Sequence, residues 1–381
     1  MAIAMRIGIE AQRIFRTKKH GMDMVALELV KHLHEVDQKN EYVVFVKEDE
    51  DPTCLPSFPN VELKVLPASP YPVWEQWLLP KAAKKAGVEL LHCTSNTAPV
   101  FPGMPLVITL HDIIYLEKLH VKEGTTYQKF GNLYRRWNVP SVIDKAEMII
   151  TVSEFEKNRI CDHFGYEENR VEAIYNGVSR HFKRVEDSQK LAEAKKKFNL
   201  PDKFIFFLGN TDPKKNVHGV LKALSILKHN GELPCKLLML DINREYLARV
   251  ANEINDPEIL DEIQFTGYIP NADLPAIYSQ ASLFLYPSLR ESFGIPMIEA
   301  MRCGVPVITS VTSCMPEVAG GAALLTDPFQ PEHLAASIRD LIYNEPKKKE
   351  LVTLGYERSK LFSWAENARK TVDIYHQILN K

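Results

Sequence analysis

Two glutamates eight positions apart, Glu291 and Glu299, are the residues of this 381-residue chain whose type and spacing point most directly to chemistry. Between them runs Ser292-Phe293-Gly294-Ile295-Pro296, and behind them Gly304-Val-Pro306-Val-Ile. A lone surface carboxylate is most often a solvated charge. A pair flanking a Gly-Ile-Pro turn is a different case, because the free N–H groups around Phe293 to Pro296 would stabilise an anion. A diphosphate suits that place, and the two carboxylates then accept hydrogen bonds from hydroxyls at either end of it. The pattern points to a guest with sugars on both sides of a diphosphate.

The elements that must position these groups are legible around them. The apolar run 282–286 predicts a buried parallel strand, Pro296 suits the first turn of a helix, and Gly304 supplies a left-handed C-cap before the next strand. In a parallel α/β sheet the loop beyond a strand's C-terminal end faces the ligand crevice. Glu291 therefore belongs to such a loop and Glu299 to the helix that follows.

Glu291-Ser-Phe-Gly-Ile-Pro-Met-Ile-Glu299-Ala-Met-Arg-Cys-Gly-Val-Pro-Val closely resembles the E-x7-E signature of the retaining group 1 (family 4) glycosyltransferases. The resemblance implies a GT-B fold, two facing Rossmann-like domains with a deep interdomain cleft, and a nucleotide-sugar donor. It also implies no metal and no other cofactor.

Length and composition agree with a two-domain α/β enzyme. A chain of 381 residues exceeds one ordinary core, and 45% hydrophobic with 25% charged residues is the balance of a soluble globular protein. A net charge of -2 gives no overall basis for nucleic-acid binding. Cys54, Cys93, Cys161, Cys235, Cys303 and Cys314 form no CxxC pair, as reduced cytosolic thiols would. No apolar run spans a bilayer and no signal peptide opens the sequence, so a cytoplasmic location is expected, with peripheral contact at the inner membrane face; Met1 and Met5 both stand as candidate starts.

In the first half, strands are predicted at 6–10, 42–46, 61–66, 88–92, 106–110, 147–152 and 171–175, with helical segments between several of them. The first turn lacks Gly-x-Gly-x-x-Gly, which counts against a dehydrogenase. The resemblance makes this loop glycine-rich and sets it between donor and acceptor; Gly21 matches, but Met22 and Asp23 depart from the usual second glycine. His111 closes the fifth strand in Thr109-Leu-His-Asp112, and the resemblance places it against the donor sugar. Asp49-Glu-Asp51 has the form of a metal-binding D-x-D, but just after a strand it reads as a solvated acidic turn.

Between 122 and 137, Lys122, Lys129, Arg135 and Arg136 interleave with Tyr127, Phe130, Tyr134 and Trp137 on a predicted helix. Such a helix either packs on its domain or docks on an anionic membrane surface or lipid-diphosphate acceptor; Lys129, Arg135 and Arg136 are the acceptor-side candidates. Ser153 and Ser363 each open a capping box.

The polar stretch 180–189 reads as a linker. The expected division is 1–182 as acceptor-side domain, 183–362 as nucleotide-sugar domain, and 363–381 as a helix crossing back. The strand 203–208 runs into Gly209-Asn-Thr-Asp-Pro-Lys-Lys215-Asn216, where Gly209 admits a close ligand and a lysine neutralises phosphate. The loop resembles the family's Gly-x-x-x-Pro-Arg-Lys-Asn element, which makes Lys215 the leaving-group cation, with Asn210 where some members carry a second arginine. Gln264-Phe-Thr-Gly267-Tyr268-Ile269-Pro270 resembles the turn whose main chain holds the nucleobase.

The expected activity is a retaining transfer from a GDP- or UDP-sugar to a glycan or lipid-linked acceptor, as in polysaccharide or lipopolysaccharide biosynthesis. The alternatives are a GT-B nucleotide-sugar epimerase or phosphorylase, and a catalytically idle GT-B subunit that scaffolds a partner enzyme.

Overall fold

In the computed structural model, residues 4–17, 19, 21–116, 126–240 and 242–380 are described, the side chains of 126–129 excepted. Short apolar stretches form two parallel sheets. The first contains β1 (Arg6–Glu10), β2 (Glu41–Lys47), β3 (Val61–Leu66), β4 (Leu90–Cys93), β5 (Leu106–Thr109), β6 (Met148–Thr151) and β7 (Val171–Ala173), in the order β3-β2-β1-β4-β5-β6-β7. The second contains β8 (Phe204–Phe207), β9 (Lys236–Met239), β10 (Ile263–Phe265), β11 (Leu283–Tyr286), β12 (Val307–Ser310) and β13 (Leu324–Thr326), in the order β10-β9-β8-β11-β12-β13.

Away from edge strands such as β3, both sheets are buried on two faces, which is why the inner strands read as largely apolar runs. In β2, Tyr42, Val44 and Val46 enter one core with Leu29 and Leu33, while Val43 and Phe45 enter the other with Trp74 and Leu79. The second sheet has an aliphatic face, with Val220, Leu224 and Leu285, and an aromatic one. There Tyr278 packs edge-on against Phe206 and Phe284, each 5.2 Å away between ring centroids.

Each sheet reverses its winding once. From β1 the chain builds outward to β2 and β3, then returns to β4 on the other side; from β8 it builds to β9 and β10, then returns to β11. At such switch points neighbouring loops diverge and leave a crevice beyond the strand ends.

The chain divides into two compact units, Met1–Gly177 with Ser363–Lys381, and Val178–Phe362. The division thus falls ahead of residue 182, because Val178 N donates to Phe362 O at 3.2 Å and the buried Phe182 packs on Tyr278, both inside the second unit. The expected linker is also shorter than 180–189: Asp187 accepts from Gln189 N and Lys190 N and so starts the helix Ser188–Phe198.

The helix Trp364–Leu379 belongs to the first unit. Ser363 Oγ accepts from Glu366 N at 3.4 Å, and Ala368, Val372 and Tyr375 join the core that holds Leu29 and Leu33. Gly177 passes so close that a Cβ there would lie 2.3 Å from Trp364 N. Tyr375 Oη lies 2.6 Å from Nδ1 of the buried His92, whose Nε2 lies 2.7 Å from Thr109 Oγ1.

Burial, with a smaller contribution from His111, lowers the His92 pKa from 6.5 to about 3. The unfolded chain therefore takes up a proton that the folded one refuses, and this contribution to stability, complete above pH 6.5, is lost as pH falls toward 3. The melting-temperature advantage of the wild type over His92→Gln should shrink between pH 7 and pH 5. Parallel thermal melts check it, and an advantage that holds constant or grows rejects the assignment.

Candidate functional site

The loops after β8 and β11 flank the switch point of the second sheet, and they bring Lys215 and Glu291 together. Lys215 Nζ donates to Glu291 Oε1 at 2.5 Å, with side chains only 15% and 11% exposed. Lys215 also donates to Tyr286 Oη at 3.1 Å. An ammonium and a carboxylate thus share one mostly dry place at the strand ends.

The two loops are tied together through main-chain groups. Asn216, in the left-handed region at φ +60°, caps the helix Val217–His229 by accepting from Gly219 N and donates from Nδ2 to Pro287 O at 3.1 Å and Pro328 O at 2.8 Å. Leu289 N donates to Lys214 O at 2.8 Å. From the far side, Thr312 Oγ1 donates to Ser288 O, and Ser313 Oγ accepts from Glu291 N at 3.2 Å. Arg290 Nη1 and Cys314 Sγ both donate to the Glu291 carbonyl. These bonds hold Glu291 by its backbone, and its carboxylate meets Lys215.

The turn that follows is as the sequence predicts. Gly294 takes φ +94° and precedes the helix Ile295–Arg302, which has Pro296 in its first turn. A Cβ at Gly294 would lie 3.0 Å from Met315 Cε, so space and backbone both ask for glycine. Ser292 and Ile295 are half-buried, whereas Phe293 is buried and stacks edge-on against Phe362, so its part in any ligand contact falls to its main chain.

Glu299 stands apart from the ion pair. Tyr278 Oη donates to Glu299 Oε2 at 3.2 Å, and burial, only partly offset by that bond, raises the carboxyl from its ordinary value to about 7. The carboxyl therefore changes charge near neutrality.

The remaining candidates of this unit line the same strand ends. Gly209 has no room for a side chain, since a Cβ would lie 2.5 Å from the Phe207 ring. Asn210 Oδ1 accepts from Asp212 N at 2.8 Å, which turns it onto its own loop. Gly267 takes φ +72°, Tyr268 is 72% exposed and Ile269 is buried.

In the first unit, His111 is buried, with Nε2 2.9 Å from Thr94 O and its backbone N donating to Asn96 Oδ1 at 2.6 Å. Because a carbonyl only accepts, Nε2 carries the hydrogen. Burial lowers the His111 pKa, so the neutral ring offers Nδ1 as an acceptor rather than a donor. Gly21 opens the helix Gly21–Val36. Asp51 of the acidic turn is paired with Lys19 at 2.6 Å. Among the described residues no cluster of three or more His, Cys, Asp or Glu is arranged to hold a metal ion.

The basic-aromatic segment does form a helix, Thr126–Ile143. Lys122 and the side chains of Tyr127 and Lys129 lie outside the described residues. Arg135 donates to Asn132 Oδ1 at 3.2 Å. Arg136, itself exposed, donates from Nε and Nη2 to Tyr115 O at 3.1 and 3.0 Å.

Several site groups escape sequence reasoning. Tyr286 and Tyr278 read as core aromatics, although a polar tip at the ligand end of an apolar strand was a usable signal for Tyr286. Glu10 and Glu75 are buried near the first sheet's strand ends, and burial raises both pKa values. Glu10 accepts from Gln12 N and Thr94 N; Glu75 accepts from Tyr71, Thr97 and Tyr134 hydroxyls at 2.5 to 2.7 Å. Nothing in their sequence neighbourhoods marks either.

Comparison with known proteins agrees over both units. Residues 188–358 match the family described as glycosyl transferases group 1, and residues 20–182 that described as glycosyltransferase family 4. The chain is 28% identical over 278 residues to O-antigen chain mannosyltransferase B of Escherichia coli, covering 71% of this chain and 69% of that protein. It is 27% identical to the serotype-specific mannosyltransferase WbdA of Escherichia coli, with 72% of this chain covered but only 33% of that longer protein. HepE of Anabaena, solved in complex with UDP and glucose, shares the fold with a TM-score of 0.73 over 98% of this chain and 99% of that one, at 18% identity. With two parallel-sheet, Rossmann-like units of the GT-B type and family matches in each, this chain belongs to the group 1, family 4 glycosyltransferases.

Proposed function

We propose that the enzyme transfers a sugar, with retention of configuration, from a nucleotide-sugar to a glycan or lipid-linked acceptor in the assembly of a surface polysaccharide of the O-antigen or lipopolysaccharide kind. The observation that carries this reading is the Lys215–Glu291 pair on the two loops flanking the second sheet's switch point. Lys215 and the N–H groups near Gly294 receive the diphosphate, Glu291 the transferred sugar, and Glu299 the ribose hydroxyls. Gly209 and Asn210 complete the phosphate side, and the main chain at Tyr268 and Ile269 takes the base.

Catalysis in this reading is mainly electrostatic. Charge builds on the departing phosphate oxygens, and donors already aimed there favour the transition state over the ground state. Lys215 supplies the positive charge at the leaving group, so turnover needs no divalent ion. Attack on the same face, assisted by the leaving phosphate, gives retention without a protein nucleophile.

Release of free nucleotide from UDP-, GDP- and ADP-sugars, with a chelator and a mixed glycolipid acceptor pool, tests this directly. A mannosyl donor is the first to try, given the activities named for the Escherichia coli relatives. Lys215→Ala and Glu291→Ala should each lose most turnover while near-ultraviolet circular dichroism stays native. Wild-type rates in folded Lys215→Ala protein sink the assignment, and absence of any nucleotide binding would favour the idle scaffolding subunit.

Glu299 adds a pH dependence. With a carboxyl that titrates near 7, the charged form that accepts from ribose hydroxyls is lost as pH falls. Nucleotide affinity should weaken about tenfold from pH 8 to pH 6, the order of one charge-assisted hydrogen bond. Glu299→Gln should lack this step; calorimetry showing the same pH slope in both proteins removes Glu299 from the ribose site.

On the acceptor side, the helix Thr126–Ile143 exposes Phe130, Leu133 and Trp137 by 61%, 66% and 56%, at spacings of three and four residues. That stripe, beside Arg135, suits docking on an anionic membrane face. Leu133→Ser with Trp137→Ser should reduce co-sedimentation with phosphatidylglycerol-containing vesicles, and undiminished binding discards this face.

A further inference from the structure

Tyr286 ends β11, buried to 2% exposure, with its ring stacked on Phe284 at 5.8 Å. Its hydroxyl accepts from Lys215 Nζ at 3.1 Å, and Lys215 also lies 5.0 Å from the centre of its ring. Burial, with the Glu291 carboxylate as a nearby charge, holds the phenol far above its ordinary pKa. It therefore keeps its proton while its oxygen receives the lysine. With the 2.5 Å bond from Lys215 to Glu291, the ammonium is held between two side-chain oxygens.

This arrangement has free capacity. An ammonium has three donors, of which these two bonds use two, and a carboxylate has about four acceptor positions, of which the lysine uses one. A phosphate oxygen and a sugar hydroxyl can each be received without breaking either bond. Without the phenol, Lys215 keeps Glu291 alone of these two partners. Lys215 then turns fully onto Glu291, and the two charges neutralise each other instead of a ligand.

We propose that Tyr286 is a positioning residue for the transfer reaction: its hydroxyl holds the Lys215 ammonium back from full pairing with Glu291, so that one donor remains for the leaving diphosphate and acceptor positions of Glu291 for the transferred sugar. This rests on the donor-site reading of Lys215 and Glu291. The loss of the hydroxyl falls on the transition state, because that is where the phosphate charge facing Lys215 grows. Tyr286→Phe keeps the ring and its stacking on Phe284, so the change is confined to one oxygen.

The test is a double-mutant cycle on the full chain with wild type, Tyr286→Phe, Lys215→Ala and the double variant. Nucleotide release from the sugar donor that turns over gives kcat and KM, calorimetry with UDP and GDP gives Kd, and thermal melting reports folding. Tyr286→Phe is expected to lower kcat about tenfold, the order of one hydrogen bond to a charged group, with KM changed less than about twofold. In the Lys215→Ala background, where there is no ammonium to hold, the same substitution should change nothing further. Wild-type kcat in Tyr286→Phe, while Lys215→Ala loses turnover, overturns the positioning role and leaves the donor site standing. A loss of equal size in both backgrounds assigns Tyr286 to packing and also overturns it. Wild-type turnover in Lys215→Ala, or no binding of either nucleotide by any of the four proteins, overturns the donor-site reading and this inference with it.

Discussion

An ammonium and a carboxylate that each keep little more than a tenth of their side-chain exposure cannot be left to themselves. Removing either ion from water costs several kcal/mol even after relaxation, and the attraction between them repays this only when the geometry is good and the remaining lone pairs and protons are satisfied. Lys215 and Glu291 meet the first condition at 2.5 Å and the second only in part, through Tyr286. Much of the second unit serves that contact: Asn216 and Leu289 tie the two loops to each other, and Thr312 and Ser313 brace the second from behind. A pair so arranged is costly to form and contributes little net stability of its own.

The first unit solves the opposite problem. Near its strand ends it buries titratable groups as well, but burial drives them toward their neutral forms: Glu10 and Glu75 upward, His92 and His111 downward. The second unit keeps charge where an anion is expected. The two sheets share a topology, and the chemistry at their ends differs through desolvation.

How much of this the sequence shows depends on the kind of interaction. The α/β alternation was legible because strands buried on two faces must be continuously apolar, as in Phe204–Phe207. Gly294, Pro296 and Gly304 announced their turn because backbone conformations, unlike packing, belong to single residue types. The placement of Lys215 beside Glu291, 76 positions apart, followed from the adjacency of β8 and β11 and from the resemblance, not from either residue alone. Tyr278 and Tyr286 were concealed because a phenol's ring satisfies the apolar pattern and says nothing about where its oxygen finds a partner. For the converse reason, the pattern could not show that Tyr115 O lay within reach of Arg136.

The discontinuity of the first unit bears on how the polypeptide comes into being. Its chain leaves at Gly177 and returns only at Ser363, so the entire second unit is inserted between its body and its closing helix. During synthesis at 5–20 residues per second, the first unit waits on the order of ten seconds or more for the helix that covers Leu29 and Leu33. In that interval it exposes an apolar groove, while the inserted unit, contiguous in sequence, already has everything it needs to fold. The fold of the inserted unit therefore does not depend on the closing helix, whereas the core around Leu29 and Leu33 does.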